Sequence, residues 1–315
     1  MTALLKYAPL FARLVRLPNL LIVVFTQYLL EYLILVPALQ IAGYSYVLDD
    51  FRFALLSFVT VLIAAAGYVI NDIEDYEIDQ LNKPEKVVVG KFLSVKKAQQ
   101  LYWFLVILGM AISIYLAIYV QNFLLFFIYP AAVFLLWWYS KQLKKVALWG
   151  NVVVSVFCAF VAGIVLFAER IAFLKLIQSH TEIGERIAII FGVYLAFAYA
   201  STMFREIVKD IEDQEGDAAL GCQTLPILLG QERAKIIAGF FGISLLILLG
   251  FYGFWLFVNG EIWGVNFLVV AIVLPILIAL FKLKNAQTKV EFHALSRLAK
   301  VVMLGGIFLL LISKI

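Results

Sequence analysis

Two cysteines and two histidines are all that 315 residues offer to a disulfide or a soft metal. Cys158 falls inside an apolar run and Cys222 in a polar segment, so neither a bridge nor a thiolate metal site is expected. His180 and His293 are too few for a histidine-ligated metal. Charge is equally scarce: 15% of residues are Asp, Glu, Lys or Arg while 64% are hydrophobic, against roughly a quarter charged in a soluble domain. That balance excludes a soluble globular fold and a disordered chain. There is no low-complexity tract and no appended polar domain, so residues 1–315 read as a single domain. The net charge of +4 is small, and no nucleic-acid partner is expected.

What the chain has in excess is apolar runs of about 20 residues, the length that crosses ~30 Å of hydrocarbon as a helix. The runs are too long and too uniform for the alternating strands of a membrane barrel. Nine are read, at 18–42, 51–71, 100–120, 122–139, 147–168, 186–206, 235–258, 263–283 and 298–315, which makes the fold an all-α bundle of nine transmembrane helices. Short turns at Val120–Asn122 and Asn259–Trp263 supply the only polar breaks within two of the helix pairs. With a cytosolic N-terminus, 20 of the 25 Lys and Arg residues lie inside, leaving Arg52, Arg170, Lys175, Arg186 and Lys314 outside. The positive-inside rule therefore predicts N-in and C-out in a cell (inner) membrane. The first run is too long for a signal-peptide core and is read as a retained helix.

Carboxylates are concentrated. Thirteen of 21 lie in the segments 72–85 and 206–232, which follow the second and sixth spans and so share the cytosolic face. That four-helix offset suggests two related halves. At about 100° per residue, Asn71, Asp72, Asp75 and Asp79 fall within an arc of roughly 100°, and Glu206, Asp210, Asp213 and Asp217 within roughly 60°. Neighbouring carboxylates at a membrane boundary repel one another unless a cation fills the stripe. Hard oxygen donors with one amide favour Mg²⁺, which shares its remaining positions with water and phosphate oxygens, so two Mg²⁺ ions and a diphosphate are the expected ligands. Lys83, Lys86, Arg205, Lys209, Lys141 and Lys145 lie near enough in sequence to clamp phosphate. Lys96, Lys97, Lys284 and Lys289 read instead as topology signals or contacts with anionic membrane lipid.

These residues resemble a known family. Asn71-Asp72-Ile-Glu-Asp75-Tyr-Glu-Ile-Asp79 is similar to the NDxxDxxxD signature of the UbiA superfamily of intramembrane prenyltransferases, and Arg205-Glu206-Ile-Val-Lys209-Asp210-Ile-Glu-Asp213-Gln-Glu-Gly216-Asp217 to its second aspartate motif. The resemblance extends to Arg16-Leu-Pro-Asn19 and to Tyr139-Ser140-Lys141. It implies that Asn71, Asp75, Asp79, Asp210, Asp213 and Asp217 hold Mg²⁺, with Asp72 assisting catalysis. It places Asn19, Lys83, Lys86, Tyr139, Lys141, Lys145, Arg205, Glu206 and Lys209 at the substrates. The donor would be a polyprenyl diphosphate. Within the family, the second motif with Gly221-Cys-Gln-Thr224-Leu-Pro226 is most similar to members that alkylate the glycerol hydroxyl of geranylgeranylglyceryl phosphate. Where relatives commonly have Arg-Pro-Ile/Leu-Pro after the first motif, this chain has Lys86-Val87-Val88-Val89-Gly90. The alternatives are an aromatic quinone-precursor acceptor and, in another class, a cation-coupled transporter. The residues do not fix the oligomeric state.

Overall fold

The computed structural model describes residues 9–76, 87–219 and 221–312, and these are helical apart from turns and two isolated bridges. In chain order the helices are α1 (Leu17–Ile41, with a π-helical turn at Leu30–Leu35), α2 (Asp50–Glu74), α3 (Val95–Tyr119), α4 (Leu125–Lys141), α5 (Trp149–Ala168), α6 (Arg170–Ser179), α7 (Thr181–Ala219), α8 (Leu225–Leu229), α9 (Gln231–Val258), α10 (Ile262–Asn285) and α11 (Lys289–Leu310). Among the described residues, eight are long and apolar enough to cross a membrane; α4 is apolar but has 17 residues, and α6 and α8 are short.

The expected break near Val120–Asn122 is present. Gln121 takes a left-handed φ of 52°, and the buried Asn122 side chain accepts from the Leu124 amide at 3.2 Å, so α4 starts after the predicted position 122. The Asn259–Trp263 break is present too, turning at Gly260 with φ 77°. Elsewhere side chains fix the helix starts: Asp49 accepts from the Arg52 amide at 2.9 Å to begin α2, and Thr288 with Glu291 forms a capping box on α11.

The chain divides into two compact units, Met1–Gln27 with Val47–Leu143 and Tyr28–Tyr46 with Lys144–Ile315. In the first, α2 packs on α3 and α4 around Leu62, Ala66, Val69, Tyr102 and Val106. Gly67 lets α4 approach: a Cβ there would lie 3.0 Å from Leu136 Cδ1. Lipid gives apolar side chains little incentive to leave it, so close packing over small residues holds such helices together.

In the second unit α7 is the central rod, flanked by α5, α9 and α11. Its 39 residues extend about 58 Å at 1.5 Å per residue, nearly twice the ~30 Å hydrocarbon layer. The apolar stretch 186–206 is enough to cross, and the acidic turns from Glu206 onward stand beyond it on the same unbroken helix.

Candidate active site

The described part of the first acidic segment, Asp72 to Tyr76, closes α2. Asn71 Nδ2 donates to Asp75 Oδ2 at 2.8 Å, an i,i+4 pair that helix geometry makes available at once. Asp72 meets Arg16 Nη2 at 3.5 Å, and the Arg16 guanidinium lies 4.6 Å from the centroid of the Tyr68 ring. Asn19 Nδ2 donates to the Tyr68 hydroxyl at 3.3 Å. The Arg16 to Asn19 stretch is thereby tied to the acidic turn through Tyr68. Sequence reasoning missed Tyr68; its position four residues before Asp72 was the available signal. Asp79, Lys83 and Lys86 lie outside the described residues.

Of the second segment, Glu206, Asp210, Asp213 and Asp217 share one side of the C-terminal part of α7. Asn151, buried near the start of α5, donates through Nδ2 to Asp210 Oδ2 at 2.8 Å. Asp210 also lies within electrostatic reach of Glu206, Lys209 and Asp217. Arg205 and Glu206 form an ion pair, and Asp213 and Asp217 are half-buried on the same helix. Asn151 was not anticipated: a lone amide at the start of an apolar run carries no motif. Lys145 ends a 3₁₀ turn, and its carbonyl accepts from the Gln223 amide at 2.8 Å, fastening that turn to the segment after α7.

Lys141 sits elsewhere on its unit. With Glu74, Trp103, Phe134 and Trp137 it lines an apolar cavity of about 530 Å³ among α2, α3 and α4, and its Nζ lies 4.8 Å from the Trp137 ring centroid. Ile70, Ile73 and Glu74, the α2 residues of that cavity, are turned away from Asp72 and Asp75 around the helix. Tyr139 is half-buried on α4.

Among the described residues no three carboxylate, imidazole or thiolate side chains converge into a ready metal cage. The donor set nevertheless suits a hard cation: each unit presents aspartate oxygens, one of them steadied by an asparagine amide at 2.8 Å. Mg²⁺ commonly takes one or two carboxylates from the protein and completes its shell with water and phosphate, so a finished cage is not required.

The model of the UbiA prenyltransferase family matches residues 32–301. The digeranylgeranylglyceryl phosphate synthase of Saccharolobus solfataricus is 36% identical over 197 residues, 62% of each chain, so this match spans less than two thirds of the relative. The Thermococcus gammatolerans protein of the same name is 30% identical over 261 residues, 83% of this chain and 85% of that one. A solved structure of digeranylgeranylglyceryl phosphate synthase superposes with a TM-score of 0.64 at 24% identity, covering 96% of this chain and 98% of that one. A UbiA homologue from Archaeoglobus fulgidus, solved with GPP and Mg²⁺, gives a TM-score of 0.53 at 16% identity over 96% and 99%.

Proposed function

Because this chain belongs to the UbiA prenyltransferase family, we propose that it transfers a geranylgeranyl group from its diphosphate to the glycerol hydroxyl of geranylgeranylglyceryl phosphate. The observation that carries this reading is the pair of aspartate segments, each with one carboxylate steadied by an asparagine amide at 2.8 Å. The names of the similar archaeal proteins support the acceptor, and the homologue solved with GPP and Mg²⁺ supports the donor class and the metal.

In this reading Asn71, Asp75 and Asp79 hold one Mg²⁺, and Asp210, Asp213 and Asp217 a second. When bound, the ions offset the negative charge that grows on the diphosphate as its C–O bond breaks. Asn71 and Asn151 keep Asp75 and Asp210 aimed, so less reorganisation is needed as charge develops. Asp72 is restrained by Arg16, Lys83, Lys86 and Lys145 meet oxygens of the diphosphate, and Arg205 and Lys209 serve the phosphates of both substrates. The bond from C1 to the diphosphate oxygen breaks, the glycerol oxygen captures the resulting allylic cation at C1, and the hydroxyl proton passes to the released diphosphate or to a site carboxylate. Aromatic faces and the exclusion of water protect the allylic cation. The carboxylate-bearing turns face the cytoplasm of a nine-span, N-in protein of the cell membrane.

The test is incubation of purified protein with Mg²⁺, geranylgeranyl diphosphate and a panel of glyceryl phosphate and aromatic acceptors. Ether product with geranylgeranylglyceryl phosphate, abolished by EDTA, is expected. Product formed only with aromatic acceptors would overturn the acceptor assignment, and substrate flux across vesicles without diphosphate release would overturn the enzyme reading.

A further inference from the structure

Beside the acidic stripe of α7 runs a second stripe, made of Arg205, Lys209 and Glu212, at spacings i, i+4 and i+7. On α11 the residues His293, Arg297 and Lys300 have the same spacing. Such triplets each line one helix face. The two helices pack against each other, and two contacts fix their relation: Glu212 Oε1 meets His293 Nδ1 at 2.7 Å, and the Phe197 ring lies against Gly306. Going up α7 from 197 to 212 corresponds to going down α11 from 306 to 293, so the pair is antiparallel.

That register sets Lys209 level with Arg297 and Arg205 level with Lys300, on the exposed flank of the pair beside the packed face of Phe292, Leu295 and Ala299. Lys300 is indeed within electrostatic reach of Arg205, Lys209, Arg297 and Glu206. Only the third rung, Glu212 with His293, matches an acid with a base. Among the described residues Arg205 is paired with its neighbour Glu206, whereas Lys209, Arg297 and Lys300 have no salt-bridge partner. Two successive like-charged rungs repel each other, and helix pairs ordinarily alternate sign across such seams. An anion between the rungs removes that cost. Arg205 and Lys209 also border the aspartate arc on α7, within one step around the helix.

We propose that Arg297 and Lys300 of α11, with Arg205 and Lys209 of α7, form the binding site for the phosphate monoester of the lipid acceptor. The identity of the acceptor rests on the function proposed above; the anion site itself does not. A phosphate held there anchors the acceptor by the one group that distinguishes it from a neutral prenylglycerol, beside the carboxylates assigned to the donor. Arg297 and Lys300 are specificity-determining residues in this account.

The experiment compares wild type, Lys300→Gln, Arg297→Gln and a control, Lys284→Gln, in detergent with geranylgeranylglyceryl phosphate and with geranylgeranylglycerol. Losing a charge-assisted contact predicts a KM for the phosphorylated acceptor higher by roughly 10- to 100-fold in either stripe variant. The KM for the alcohol shifts by less than about threefold, Lys300→Arg recovers most of the loss, and the control behaves as wild type. If the donor KM rises instead, the anion is the donor diphosphate. If both acceptor KM values rise together, or if addition of a phospholipid rescues the variants, the site serves packing or a membrane headgroup; each of these results overturns the proposal. Equilibrium binding of the same two lipids, measured without donor by tryptophan fluorescence, separates this test from the fate of the transfer reaction. Preferential binding of the phosphate that Lys300→Gln abolishes upholds the site even if no ether forms, and equal binding of both lipids by wild type refutes it.

Discussion

The two acidic segments arrive at one arrangement by different routes. In the first unit Asn71 and Asp75 are four residues apart on α2, so the helix itself brings amide to carboxylate. In the second, the position four before Asp210 is Glu206, which is engaged with Arg205, and the amide comes from Asn151 on α5, 59 residues away in sequence. The counter-charges differ as well. Asp72 takes its arginine from the chain before α1, through a guanidinium also stacked on Tyr68, whereas Arg205 and Glu206 are adjacent on α7. A local solution survives any rearrangement that keeps α2 helical. The imported one depends on α5 and α7 keeping their register, so packing changes in the second unit should reach the carboxylates more readily.

The largest effect should come from the carboxylates themselves. Asp75→Ala and Asp210→Ala are each expected to lower kcat/KM by roughly 100- to 1,000-fold, since a metal contributes several kcal/mol to the departing charge. Steady-state assays on folded protein check this, and a large loss at only one of the two positions would break the equivalence of the segments. Next come the amides. Asn71→Ala and Asn151→Ala should each raise the Mg²⁺ concentration needed for half-maximal rate by about 10-fold, the scale of a hydrogen bond to a charged group. Metal titrations in which Asn151→Ala is silent would reduce that contact to packing.

A smaller change separates the two units by packing. Leu substituted for Val152, which packs against the core around α7, should weaken Mg²⁺ dependence by a few-fold. An equally bulky change at Leu108, beside the α2 and α3 core, should leave it within about twofold. Equal responses in the metal titration would contradict the distinction between local and imported amides. Smallest of all, Tyr68→Phe removes the hydroxyl that receives Asn19 and keeps the ring under Arg16. A two- to fivefold loss in kcat/KM is expected, because the contact removed is one exposed neutral hydrogen bond of 3.3 Å, and such bonds contribute about 0.5–1.5 kcal/mol.

These contrasts also mark what the residues alone could disclose. Long apolar runs made the crossing helices legible, because length and hydropathy are local properties. The amphipathic α6 and the five-residue α8 were not seen, since neither has a run long enough to stand out. Asn71 with Asp75 could be read from spacing. Asn151 could not, and neither could Arg297 and Lys300, which looked like part of the basic excess that sets topology. Their distinguishing property is the residue each faces on another helix, and helix register is a tertiary quantity. Lys141 carried the expected charge, yet its direction depends on how α4 rotates against α2 and α3, which the motif does not encode.

The uninterrupted length of α7 also constrains how this sequence can change. Excising one residue anywhere between Gly184 and Thr202 would swing everything downstream by about 100° while drawing it in by about 1.5 Å. The carboxylate arc would then point where its neighbours now lie, and no loop intervenes to absorb the error. Indels should therefore be lethal within this rod yet bearable in the turn at 286–288, and a four-residue excision, which nearly restores the angle, should do less damage than a two-residue one.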